Sequence, residues 1–108
     1  MPFSVNTQTN SNGVLNVAFG QCTTSSATAA AATITLGFTP KYVKFVNATD
    51  RITDEWFEGM ASASSIHTVA AGTLTLETTN GIAVSGASFT LTATTLVASK
   101  VYYWVAYS

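Results

Sequence analysis

Thr73-Leu74-Thr75-Leu76-Glu77 alternates small polar and large apolar side chains, the period of a strand with one covered face. This reading points both leucines inward and the threonines and Glu77 outward. Asn80-Gly81 follows, the favoured pair for a type I′ hairpin turn because both residues tolerate positive φ. Gly81-Ile82-Ala83-Val84 is then the return strand, and Ser88-Phe89-Thr90-Leu91-Thr92 alternates again.

The same period extends outward along the chain. Val14-Leu15-Asn16-Val17-Ala18-Phe19 sits between Gly13 and Gly20, and Thr33-Ile34-Thr35-Leu36 precedes a turn over residues 37–40. Pro40 marks a strand start, since it cannot donate inside a ladder. Lys41-Tyr42-Val43-Lys44-Phe45-Val46 follows it, and Asn47-Ala48-Thr49-Asp50 is a turn cluster. Residues 51–58 form the next strand, with Ile52 and Trp56 on one face, and residues 100–107 close the chain. Residues 22–32 and 60–72 are rich in Ala, Ser and Thr; the first reads as an extended loop or strand start, the second as irregular. About eight short strands separated by Gly, Ser and Asn turns predict an all-β domain, a small antiparallel β-sandwich or jelly roll. Residues 1–12, polar with three Asn, read as a flexible N-terminal arm, and residues 13–108 as the single domain.

Composition narrows the function. Only 8% of the residues are charged, where a typical soluble domain carries about 25%. Thirty Ser and Thr take their place, and such side chains are covered at low entropic and desolvation cost. That suits a surface buried in an assembly. Four basic residues and a net charge of −1 do not suit a nucleic-acid binder. No apolar run reaches the roughly 20 residues of a membrane span. Cys22 is alone and no secretory signal is visible, so synthesis in a reducing cytoplasm is expected.

Catalytic candidates are few. His67 is the one histidine, with no acidic neighbour in sequence and no Gly-x-Ser-x-Gly elbow in the chain. Asp50, Asp54, Glu55 and Glu58 cluster beside Arg51, where paired carboxylates could run glycoside hydrolysis; ion pairing between neighbouring strands is the plainer reading. On a strand Asp54 and Glu58 share a face and Glu55 takes the other. Asn47, Asp50 and Asp54 come nearest to a calcium loop. No enzyme activity, metal or cofactor is expected.

Val101-Tyr102-Tyr103-Trp104-Val105-Ala106-Tyr107 is apolar on both faces, as in a central strand or one that meets another subunit. Tyr102, Tyr103, Trp104 and Tyr107, with Arg51 and Trp56, are the candidate interface residues, because Tyr, Trp and Arg combine large contact area with a polar tip.

Residues 37–51 (Gly-Phe-Thr-Pro-Lys-Tyr-Val-Lys-Phe-Val-Asn-Ala-Thr-Asp-Arg), continued by Glu55-Trp56 and Gly59-Met60, resemble a stretch of small virion proteins of tailed bacteriophages. Lys100-Val101-Tyr102-Tyr103-Trp104 resembles their aromatic last strand. The likeness covers about a third of the chain and has no catalytic signature. It implies a capsid decoration (cement) protein, a small structural β-sandwich on the capsid surface of the virion. It would bind where major capsid proteins meet, as a homo-oligomer, a trimer before a dimer. The alternative is a carbohydrate- or receptor-binding module of a phage tail, for which exposed aromatics beside Asp or Asn would speak.

Overall fold

The structure, a computed structural model, describes residues 16–25 and 29–108. The expected arm, residues 1–12, lies outside them. Within them the chain is all-β, with β1 (Val17–Thr23), β2 (Ala32–Thr35), β3 (Tyr42–Asn47), β4 (Ile52–Phe57), β5 (Ser64–Thr68), β6 (Leu74–Ser85), β7 (Ser88–Leu91) and β8 (Val101–Tyr107). No helix among the described residues is long and apolar enough to cross a membrane. The pairings are all antiparallel and join the strands into one sheet, in the order β1-β8-β3-β4-β5-β6-β7-β2.

The sheet curls into a half-barrel whose two arms face each other. Phe89 of β7 meets Trp104 of β8 edge-on at 5.5 Å, although several strands separate them in the sheet order. Between the arms lie Val43, Phe45, Trp56, Tyr102 and Ala106 from one side, and Ile82, Phe89 and Leu91 from the other. Burying each large apolar side chain of this set contributes about 1.5–3 kcal/mol. Phe45 and Tyr102 stack at 5.2 Å, and the Tyr102 hydroxyl donates to Thr95 O at 3.0 Å while accepting the Val97 N–H at 2.9 Å. One buried ring thus holds the loop before β8.

Three sequence expectations are corrected. Residues 60–72 are not wholly irregular, since β5 forms inside them. Its inner side chains, Ser65 and His67, are polar, so no apolar alternation announces it; their hydrogen bonds to Asp54 hold it in the sheet. Asn80-Gly81 makes no two-residue hairpin, because β6 is one strand of 12 residues. Its register with β5 slips: Ser65 opposes Glu77, but Ser64 opposes Ile82. Residues 78–81 therefore form a bulge, in which Glu77 Oε2 accepts the N–H groups of Thr79 and Asn80, each at 3.0 Å. Gly81 is needed there for close approach, as a Cβ on it would lie 2.4 Å from the carbonyl carbon of Ser64.

The third correction follows from the second. Bulges redirect the strand that carries them, and this one turns Ile82 into the core while Leu74 and Leu76 stay outside, 64% and 66% exposed. Both leucines were expected inward. β1 also runs past Gly20 to Thr23; a Cβ at Gly20 would meet the Trp104 ring at 2.8 Å, so the glycine lets the indole lie flat over β1.

Candidate functional site: the outer sheet face and the inner cavity

Strand register arranges the outer side chains in rows. One row crosses six strands as Phe19, Val105, Lys44, Glu55, Ile66 and Leu76. The next runs Gln21, Tyr103, Val46, Thr53, Thr68 and Leu74, and a shorter one Val17, Tyr107, Tyr42 and Phe57. Phe19 is 79% exposed, and Val17, Phe57, Tyr103 and Tyr107 also stand free with the two leucines. The strands place two charges on this face, Lys44 and Glu55, directly opposite each other. The Tyr42 hydroxyl donates to Glu55 Oε2 at 2.6 Å. Burial, then this carboxylate, push the Tyr42 phenol well above its ordinary range.

On the inner face a cavity of about 240 Å³ opens between β3, β4, β5 and the loop before β8. Phe45, Ile52 and Tyr102 form its apolar side, and Asn47, Asp50, Asp54, His67 and Glu77 its polar side. Asp54, 4% exposed, accepts from Ser65 Oγ at 2.7 Å and from His67 Nδ1 at 2.9 Å, both on Oδ1. A carboxylate only accepts, so Nδ1 carries the proton of this pair. The Asp54 partner that sequence adjacency did not offer His67 comes from the facing strand. Ser65 and His67 share one acceptor and make no bond to each other. The trio lacks the serine-to-histidine link that activates a nucleophile.

The other polar groups are committed to structure. Asn47 Oδ1 accepts the Asp50 N–H at 2.9 Å, and Asn47 Nδ2 donates to Asp50 Oδ2 at 3.0 Å, closing the β3–β4 turn. Lys100 Nζ donates to Asp50 Oδ1 at 3.1 Å, and this ammonium holds the Asp50 carboxyl below its ordinary range. The bulge N–H groups of Asn80 and Thr79 lower Glu77 in the same way. Asn47 and Asp50 are thus tied to each other, and Asp54 to Ser65 and His67. Among the described residues no group of three or more His, Cys, Asp and Glu side chains could hold a metal ion.

The candidate interface residues divide between the two faces. Tyr103 and Tyr107 lie outside. Tyr102 is fully buried and Trp56 nearly so, which leaves them no surface to offer a partner. Trp104 points inward onto Phe89, and Arg51 sits exposed in the β3–β4 turn at φ 58°. Sequence reasoning missed Phe19, Phe57, Leu74 and Leu76, the most exposed apolar side chains beside Val17 and the two tyrosines. The signal was present in the near absence of charge across β1, β5 and β8, but assigning a face needed the register. No protein family, curated protein or solved structure matches this chain.

Proposed function

We propose that this chain is a non-enzymatic structural protein that binds the outside of an assembled phage capsid as a homo-oligomer and stabilises it. The observation that carries the reading is the outer sheet face, apolar, broad and holding two charges. Seven exposed side chains there add up to more than the roughly 300–600 Å² of the largest patch on a typical monomer. A chain with so few charges elsewhere has little else to keep it dispersed. Its working state is therefore an assembly, and the resemblance at residues 37–60 and 100–104 supplies the capsid as the partner. Contacts repeated over a lattice stabilise the shell even when one copy binds modestly.

The finer fold assignment, a jelly roll, belongs to the same proposal. Three nested antiparallel pairings support it, β1 with β8, β2 with β7 and β4 with β5. β3 pairs with β4 and β6 with β5 instead of with each other, which keeps the sheet continuous. The sugar-binding alternative has less support, because exposed tyrosines and Asp or Asn acceptors lie on opposite faces. The test is direct. Phage heads stripped of the protein should release DNA at lower temperature, and adding it back should restore the resistance. Unchanged resistance, with saturable glycan binding, would replace this reading with the tail module.

A further inference from the structure

The row through the middle of the outer face reads Phe19, Val105, Lys44, Glu55, Ile66, Leu76. From its centre the pattern is the same in both directions, one charge and then two apolar side chains, with the charges opposite in sign. A two-fold axis lying in the face, parallel to the strands and between β3 and β4, maps this row onto itself in a second copy. Lys44 then stands over the partner's Glu55, Val105 over the partner's Ile66 and Phe19 over the partner's Leu76. We propose that the outer face is a homodimer interface of this symmetry, with a second copy of the chain as its occupant.

Two further observations favour a second copy over any other cover. Among the described residues Lys44 forms no ion pair, while Glu55 is held by the Tyr42 hydroxyl with one carboxylate oxygen to spare. Each copy thus presents an unanswered cation and a positioned anion at equal offsets from the axis, which is the self-complementarity an isologous interface requires. A partner of different sequence would have to reproduce both charges in mirrored order. The area also matches. With about 150–250 Å² for a whole aromatic side chain, and less for Leu and Val, the exposed fractions amount to roughly 650 Å², within the about 600–1,000 Å² that each partner contributes to a standard interface. Sheets packed face to face keep their strands within about 30° of parallel, so the rows stay in register near the axis, where the charges are.

This inference rests on the proposed function only in that both treat the outer face as covered. It replaces the three-fold symmetry that the family resemblance implied with a two-fold one. It leaves the capsid to the surfaces away from this face.

The full chain is examined by sedimentation equilibrium across micromolar concentrations, with circular dichroism to confirm folding of each variant. The expected mass is twice 11.3 kDa. Lys44→Glu sets carboxylates against each other at both symmetric contacts, and Glu55→Lys does the same with ammonium groups; each should weaken dimerisation at least about tenfold. The double variant Lys44→Glu/Glu55→Lys restores both pairs and should recover most of the loss. Lys44→Glu also sets a carboxylate opposite Glu55 within its own copy, so urea denaturation of each variant separates a loss of fold from a loss of interface. A monomer at all concentrations, a trimer, or a dimer indifferent to charge reversal would each overturn the inference. Head protection by a monomeric or trimeric chain would sink it and leave the capsid reading standing. An intact dimer that fails to protect heads would do the reverse.

Discussion

Asp54 and His67 stand directly opposite each other on β4 and β5, and their side chains meet on the inner face at 2.9 Å. Ser65, two residues before His67 on the same strand, donates to the same carboxylate oxygen at 2.7 Å. A strand without an apolar inner face is held in the sheet by this buried acceptor. The trio is a fastening of β5 to β4.

Asp54→Ala should therefore destabilise the free protein by about 2–4 kcal/mol, because two donors lose their acceptor in a site closed to most water. His67→Ala removes one partly exposed donor and should cost about 1 kcal/mol. Urea denaturation of both variants gives the ordering. The His67 variant should protect phage heads as well as the parent. Loss of protection with the fold intact would give His67 a role beyond the sheet.

The glycines differ in how hard their neighbours are. Gly81→Ala drives a methyl group into the backbone of Ser64, so β5 and β6 must separate at the bulge, at a cost of about 3 kcal/mol or more. Gly20→Ala meets the Trp104 ring, a side chain and not backbone, and should cost about 1–3 kcal/mol. Thermal unfolding of the pair tests the order. Equal losses would mean that the bulge is not the tight point of the sheet.

Trp104 and Tyr103 are sequence neighbours with opposite duties. Trp104→Ala empties the space against Phe89 and over Gly20, and should destabilise the free chain by about 2–4 kcal/mol. Tyr103→Ala on the outer face should change the free chain by no more than about 0.5 kcal/mol while weakening self-association or head binding. A stable Trp104 variant that no longer assembles would reverse these assignments.

Acid and alkali should each lower stability. Asp50 and Glu77 titrate below their ordinary range in the folded chain, through Lys100 and through the bulge N–H groups. Their contribution is complete above about pH 4, the unfolded carboxylate range, and is lost as the pH falls through the folded values. Tyr42 and Tyr102 are raised, first by burial, so their contribution is complete below about pH 10 and declines above it. Urea midpoints followed from pH 2 to pH 11 should show a plateau with two falling limbs. Asp50→Asn should flatten the acid limb, and stability that rises below about pH 4 would contradict the assignment.

Most strands were legible in the residues themselves. Turn residues and two-residue periodicity locate β2, β3, β4, β7 and β8 within a residue or two, because local alternation and β-branched or aromatic content act without distant partners. β5 escaped for the opposite reason, since its inner side chains are polar and acquire a partner only when Asp54 arrives from another strand. Asn80-Gly81 was misread because a turn signal and a bulge signal share one cause, a backbone freed from Cβ, and only Ser64 lying against Gly81 separates them.

By itself the sequence determined the class: a small all-β chain, poor in charge and rich in Ser and Thr. Those properties are sums over residues and need no contacts. What only the tertiary structure decided is sidedness. Alternation states that Leu74 and Leu76 share one face of their strand, and Val17 and Phe19 one face of theirs, but not which face is covered. That depends on the bulge at residues 78–81, which turns Ile82 inward and leaves the leucines outside, beside Thr68 and Ile66. A period of two is symmetric between the faces of a sheet, and only the curl that encloses a core on one of them breaks the symmetry.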